Sequence, residues 1–424
     1  MIDLRELKQR RDEIAQNIKN RYMNCDVDEV IKLQDERSDD MQSVEAMRSR
    51  RNEIASLMRS KMDDSKRSDL IAEGKKLKDD IAIAESRLEE INSVFDLKAR
   101  QIPNYAHPDA PIGKEDKDST AVKFVGKPPV FDFKPLDHVQ LGQSLDLLDF
   151  DTATKVSGPK FYYIKNKAVI LQMALERYAI DIVMKHGFMP MITPDVAKEE
   201  VLLGTGFNPR GAESNIYTVE GTGTCLVGTA EITLGGYMED KIIDKKDLPI
   251  KFTGLSHCFR REAGGAGQYS KGLYRVHQFS KLEMFIFCLP EDSDGFHKEL
   301  LGIEEEIFGG LGLAYRIVDT CTGDLGAPAY RKFDIEAWMP GRGDSGEYGE
   351  VTSTSNCTDY QARNLNIRYK DDDGKTRFVH MLNGTAVALS RAMVAIMENY
   401  QTKEGNIRIP DALVPLCGFD IITK

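Results

Sequence analysis

Leu70, Leu77, Ala84 and Ile91 stand seven residues apart, and Gly74, Ile81, Leu88 and Phe95 form a second set at the same period. Interleaved, the two sets give the 3-4 alternation of a long helix with one apolar stripe laid along a partner. The partner is expected in the segment before it, where Val30, Leu33, Val44, Met47, Ile54 and Met58 share one stripe. Arg37, Asp40 and Arg51 interrupt that stripe, so its seam is the weaker of the two. No proline occurs before Pro103, and the turn signal MDDSKRSD at 62–69 separates the segments, with Ser68 as the predicted N-cap. The expectation is an antiparallel helical hairpin. From periodicity alone it is a structural or dimerising coiled coil. Its charge leaves the matter open, because 21 Lys and Arg face 23 Asp and Glu in residues 1–100. Only the short clusters Arg48/Arg50/Arg51 and Lys75/Lys76/Lys78 are dense enough to meet phosphate.

The chain is 424 residues long, and single cores rarely grow beyond about 250–300 residues. The stretch IPNYAHPDAPIGKEDKDST at 102–120, with three prolines and a charge run, reads as a boundary. Two domains are therefore expected, 1–105 and 106–424. In the second, β-rich runs such as LPIKFTGLSHCFR and KLEMFIFCL alternate with glycine turns and a few helices, which predicts an α+β domain on an antiparallel sheet. No apolar run approaches the roughly 18–20 residues of a membrane span. The net charge of −11 argues against a protein that coats nucleic acid non-specifically, so any such contact is local. Seven scattered cysteines form no CxxC pair and the histidines offer no zinc spacing; reduced thiols and no zinc are expected. There is no Walker A loop, and no GxGxxG follows a strand.

The richest stretch is CFRREAGGAGQYSKGLYRVHQFSKLEMF at 258–285, read as strand, glycine-rich loop, strand. Its strands are expected to carry Arg260, Glu262, Arg275, Phe279 and Glu283. Residues two or four apart on a strand share a face, and charges lined up there among apolar neighbours are costly unless that face is a site.

The element Phe259-Arg260-Arg261-Glu262, followed by Arg275-Val276-His277-Gln278-Phe279, resembles the second signature of the class II aminoacyl-tRNA synthetases. HGFMPMITPDV (186–196) resembles the first signature and HMLNGTAVALSRAMVAIMENYQ (380–401) the third. RVHQFxKxE is similar to the seryl-tRNA synthetases, a resemblance that covers nearly the whole chain.

The resemblance implies a set of roles. Arg260 bridges the substrate carboxylate and the α-phosphate. Glu262 meets the adenine amino group, Phe279 stacks on the adenine, Val276 belongs to the same ATP-binding segment, and Arg275 holds the outer phosphates. Arg391 covers the second adenine face and reaches the γ-phosphate. Thr229 and Glu231 hold the α-amino group; without the resemblance, Thr229 is simply a helix cap. Glu283, Asn383 and Thr385 line the serine side, with Glu283 and Thr385 near the hydroxyl. Glu350 and Ser353 hold Mg2+ on the phosphates, hard oxygen ligands that suit this ion. Thr352 and Thr354 replace the more usual Ser and Cys. Pro194 lies at a homodimer interface, and the hairpin becomes an arm for the long variable arm of tRNA-Ser. L-serine, ATP and tRNA-Ser are the implied partners, with no membrane. The location is cytoplasmic, or a plastid or mitochondrial matrix if a transit peptide has been removed.

Overall fold

The computed structural model describes residues 1–209, 214–262 and 271–424, and the chain divides into two compact units, Met1–Pro103 and Asn104–Lys424.

The first unit holds a short helix, α1 (Arg11–Asn20), and two long ones, α2 (Val27–Leu57) and α3 (Asp64–Ala99). Lys98 meets Glu29, Arg37 meets Asn92, Arg48 meets Glu85 and Arg50 meets Glu73, so α2 and α3 run antiparallel. Every seam position of α3 is buried or half-buried, while Ile71, Ile83, Val94 and Leu97, off the seam, are exposed. Two of the polar interruptions on α2 are paired. Arg37 donates to Asn92 Oδ1 at 2.6 Å and lies 5.3 Å from the Phe95 ring centroid; Asp40 takes Arg87 at 3.0 Å. The expected cap at Ser68 is not used. Asp63 caps α3, accepting from Lys66 N at 2.8 Å, and Ser68 lies within the helix. A carboxylate at this position both satisfies a free N–H and faces the positive end of the helix dipole, so the helix starts earlier.

The second unit is built on eight strands: β1 (Thr120–Val125), β2 (Met189–Ile192), β3 (Ile250–Phe259), β4 (Gln278–Cys288), β5 (Tyr315–Asp319), β6 (Arg331–Met339), β7 (Glu347–Asn356) and β8 (His380–Ala388). Their order is β1-β5-β6-β7-β8-β4-β3-β2. Neighbours pair antiparallel, except that β2 runs parallel to β3 at one edge. Helices α4 (His138–Ser144), α5 (Lys167–Lys185), α6 (Ala230–Tyr237), α7 (Ser293–Gly310) and α8 (Leu389–Asn399) surround the sheet.

Strand alternation on β4 divides the layers. Leu282, Met284 and Ile286 enter the main core with Leu171 and Leu175 of α5, Ile303 and Ile307 of α7 and Met393 of α8. Phe285 and Phe287 point the other way and pack with Ala230 and Leu234 of α6. On that same side, further up the strand, Phe279, Lys281 and Glu283 are left for a cleft. Gly254 on β3 lets α6 approach, since a Cβ there would stand 3.0 Å from both Ala230 Cβ and Leu234 Cδ1.

The expected strands of the 258–285 element are shorter than the sequence suggested. β3 ends at Phe259 and β4 starts at Gln278, so Arg260, Glu262 and Arg275 sit beyond the strand ends. Glu262 takes φ +48, a left-handed conformation that ends an extended strand. The glycine-rich loop at 263–270 lies outside the described residues.

Candidate active site

Thr229 caps α6, its hydroxyl accepting from Glu231 N at 3.2 Å. The plain cap reading is thus correct, and the cap also holds Glu231 in the first turn. Glu231 is buried; its Oε1 accepts from Gln361 Nε2 at 2.6 Å and Asn383 Nδ2 at 3.0 Å. Burial, and then the nearby Glu283 carboxylate, push Glu231 up to about 7. On β4, Glu283 forms a buried ion pair with Lys281 and accepts from Thr385 Oγ1 at 3.3 Å. Five expected residues, Thr229, Glu231, Glu283, Asn383 and Thr385, are therefore brought together in one cluster. Lys281 and Gln361 complete it and were not foreseen. Lys281 was open to detection, because it lies between Phe279 and Glu283 on the alternation that defined the site face.

Two β-bulges shape this cluster and its neighbour. The β4–β8 register shifts between Leu282 and Glu283, which brings Thr385 opposite Glu283. The β6–β7 register shifts between Ile335 and Glu336, leaving Val351 as the extra residue. On a regular strand, Glu350 and Ser353 would face opposite sides. With the bulge, Thr352 turns to the helical layer and donates to Glu304 of α7 at 2.6 Å, while Ser353 lies opposite Asp334.

Arg260 follows β3 directly. Its N donates to His277 O at 3.0 Å, its Nε to Gly228 O at 3.3 Å, and its guanidinium carbon lies 5.3 Å from the Phe279 ring centroid. Arg275 and Glu262 pair at 3.3 Å. Val276 is buried, so its side chain packs inward and its backbone alone can face a ligand. Arg391 of α8 contacts Glu350 Oε1 at 2.8 Å and Glu350 O at 3.3 Å. Burial works to raise the Glu350 carboxyl, but Arg391, Lys332 and Arg260 outweigh it and hold the group well below the carboxylate range. The Tyr274 ring meets two guanidiniums, its centroid 4.9 Å from the guanidinium carbon of Arg391 and 4.7 Å from that of Arg342. Pro194 is exposed, two residues past the end of β2, the edge strand of the sheet; Ile192, the last residue of that strand, is 87% exposed. Among the described residues no group of three or more His, Cys, Asp and Glu side chains is arranged to hold a metal.

An antiparallel sheet with a parallel edge strand and a strand-to-helix element bearing Arg391, enclosing a cleft of fixed charges, defines a class II aminoacyl-tRNA synthetase core. The chain matches the family described as tRNA synthetase class II core domain (G, H, P, S and T) over residues 217–400, and that described as Seryl-tRNA synthetase N-terminal domain over residues 1–106. It belongs to the seryl-tRNA synthetase family. A serine–tRNA ligase of Treponema denticola is 61% identical over the full length of both chains. The seryl-tRNA synthetase of Pyrococcus horikoshii, solved with ATP, superposes with a TM-score of 0.88 at 38% identity, covering 100% of this chain and 99% of that one. The cytoplasmic enzyme of Naegleria fowleri, solved with AMP, gives 0.81 at 32% identity, covering 97% and 95%.

Proposed function

We propose that this enzyme joins serine to ATP, forming seryl-adenylate and pyrophosphate, and then transfers the seryl group to the 3′-terminal ribose of tRNA-Ser. The observation that carries the reading is the cluster of Thr229, Glu231, Glu283, Asn383 and Thr385 set beside Arg260. Glu231 receives the serine ammonium. The Glu283–Thr385 pair offers an acceptor and a donor to the hydroxyl, and alanine would leave both buried groups unpaired.

For the serine carboxylate to attack the α-phosphate, two anions must approach and the charge between them must be neutralised. Arg260, with its flat fork of donors, does this better than a lysine could. Phe279 and Arg391 bracket the adenine, Glu262 and the backbone at Val276 meet its edge, and Arg275 takes the outer phosphates. Arg391 pairs with Glu350 at the proposed phosphate end of the site, which holds its guanidinium in place to meet phosphate. The Glu350 carboxylate, held ionised, and the Ser353 hydroxyl form a hard-oxygen pair that fits Mg2+. When bound, the ion neutralises phosphate charge. The protein residues supply positioning and charge, with no covalent enzyme intermediate.

The α2–α3 hairpin is the tRNA-binding arm of domain 1–105, and the catalytic domain is 106–424. The clusters Arg48/Arg50/Arg51 and Lys75/Lys76/Lys78 are the cations offered to phosphate; Arg48 and Arg50 also form exposed ion pairs with Glu85 and Glu73, weak enough to exchange. Pro194 and the exposed apolar residues of β2 form the homodimer face. No described helix is long and apolar enough to cross a membrane. A cytoplasmic location is favoured by the likeness to the Naegleria fowleri enzyme, which is described as cytoplasmic. The test is pyrophosphate exchange into ATP with each amino acid in turn. Serine is expected to support the fastest exchange; faster exchange with another amino acid would refute the assignment of Glu283 and Thr385.

A further inference from the structure

One buried carboxylate joins three segments that converge on the nucleotide end of the cleft. Glu398, near the end of α8, is 3% exposed and His138, the first residue of α4, is 7% exposed. Glu398 Oε1 accepts from His138 N at 3.0 Å and lies 2.8 Å from His138 Nδ1; its Oε2 accepts from Gly341 N at 2.8 Å. Gly341 precedes Arg342, and α8 carries Arg391.

The imidazole extends the connection. Its Nε2 lies 3.1 Å from Leu273 N, which can only donate. Nε2 must therefore be unprotonated, and the ring proton sits on Nδ1, directed at Glu398. The segment passes over the ring at Gly272, which takes φ +61 and where a Cβ would stand 2.1 Å from Nε2. A glycine is required there on both counts. The residue after Leu273 is Tyr274, whose ring contacts the guanidiniums of Arg342 and Arg391 and whose hydroxyl donates to Glu350 O at 3.2 Å. Lys271 ties the same segment to Asp137, next to His138.

We infer that the His138–Glu398 pair is a positioning element of the ATP site, acting through Leu273 N to set Tyr274 and, through it, Arg391 and Glu350. It touches no reacting atom. The inference rests on the proposed reading of the cleft as an ATP site. It predicts a selective effect: the pair governs nucleotide binding and leaves the serine pocket, which it does not contact, unchanged.

The test uses two variants of the full chain. In His138→Asn the side-chain amide can stand where Nδ1 stood, keeping the bond to Glu398 and abandoning Leu273 N. In His138→Gln the amide oxygen can reach the place of Nε2 and keep the bond to Leu273 N. A cavity of about 70 Å3 beside the pair gives either amide room. Leaving one buried donor unpaired should raise KM for ATP in His138→Asn by on the order of tenfold. KM for serine should stay within about twofold, and His138→Gln should recover most of the loss. Equal KM for ATP in both variants and wild type would overturn the inference. So would a fall in kcat or in active-site titre with both KM values unchanged, the signature of a merely structural role.

If His138→Asn does not fold, Glu398→Gln replaces it. Its single oxygen can serve either His138 or Gly341 N, and the NH2 opposes the donor on the other side, so one buried bond of the junction is lost whichever way the amide turns; the same selective rise in KM for ATP is expected and its absence overturns the inference. Nitrogen-15 histidine spectra supply an independent reading. Wild type should show the Nδ1–H tautomer at His138, and the Nε2–H tautomer there would refute the scheme. Wild type lacking serine-dependent exchange would instead sink the reading of the cleft.

Discussion

Glu231→Gln should make the protein more stable and less active, with both effects tied to pH. In the folded chain Glu231 titrates at about 7, against an ordinary carboxylate value of 4.5, because it is buried beside Glu283. For an acid raised in the folded state the sign is unfavourable: below 4.5 both states are protonated and no cost exists. Between 4.5 and 7 the unfolded chain has ionised while the folded chain has not, and the cost grows by about 1.4 kcal/mol per pH unit. Above 7 it levels off at about 3 kcal/mol. Glutamine keeps an amide oxygen for the Gln361 and Asn383 donors and carries no charge. The variant should therefore match wild type near pH 4.5 and exceed it by up to about 3 kcal/mol at pH 8, read by urea denaturation at each pH. Function moves the other way. Free serine is an ammonium throughout this range and needs an ionised partner, so wild-type KM for serine should fall about tenfold from pH 6 to pH 8 as Glu231 ionises. In Glu231→Gln the loss of a charge-assisted bond, about 1.5–3 kcal/mol, should raise that KM roughly 10–150-fold at pH 8 and flatten its pH dependence. A flat wild-type profile, or a slope that survives in the variant, would refute the reasoning.

Arg260→Ala should fold normally, since the side chain faces the cleft, and lose on the order of 10²–10³ in exchange rate; near-normal exchange by the folded variant would make Arg260 structural. Glu283→Ala leaves the buried Lys281 ammonium without its partner and should cost about 3–5 kcal/mol in urea unfolding. A loss below about 1 kcal/mol would mean the pair is solvated in solution. Replacing Arg51, Lys75, Lys76 and Lys78 by Ala should spare serine-dependent exchange and weaken tRNA charging. For every phosphate left without its cation, the salt dependence of tRNA binding should flatten by a slope of roughly 0.7–0.9. Unchanged charging by that variant would remove these residues from tRNA recognition.

The heptad register of α3 was legible because it is a local pattern: residues seven apart share a face however the rest of the chain folds, and every predicted seam position is shielded. The three signature segments were legible for a related reason. Each is a short run whose residue types are tied to one strand or strand-to-helix turn, and β8 leads into α8 at Ala388–Leu389 as read. Asp63 displaced Ser68 as cap because two polar residues competed for the same helix end, and only the folded turn decides which side chain reaches a free N–H. The bulges are of another kind. Glu350 and Ser353 are three apart, a spacing that alternation assigns to opposite faces, and the register shift against β6 undoes that assignment. No local pattern announces such a shift, since it depends on which strand lies alongside. The same holds for Lys281 beside Glu283, and for His138 held by Glu398 from 260 residues away. Periodicity and motif chemistry, being properties of neighbouring residues, determined the hairpin and the sheet class, and the resemblance of short motifs named the residues proposed for the site. The facing of those members, their partners and their ionisation depend on contacts between distant segments, and these only the tertiary structure decided.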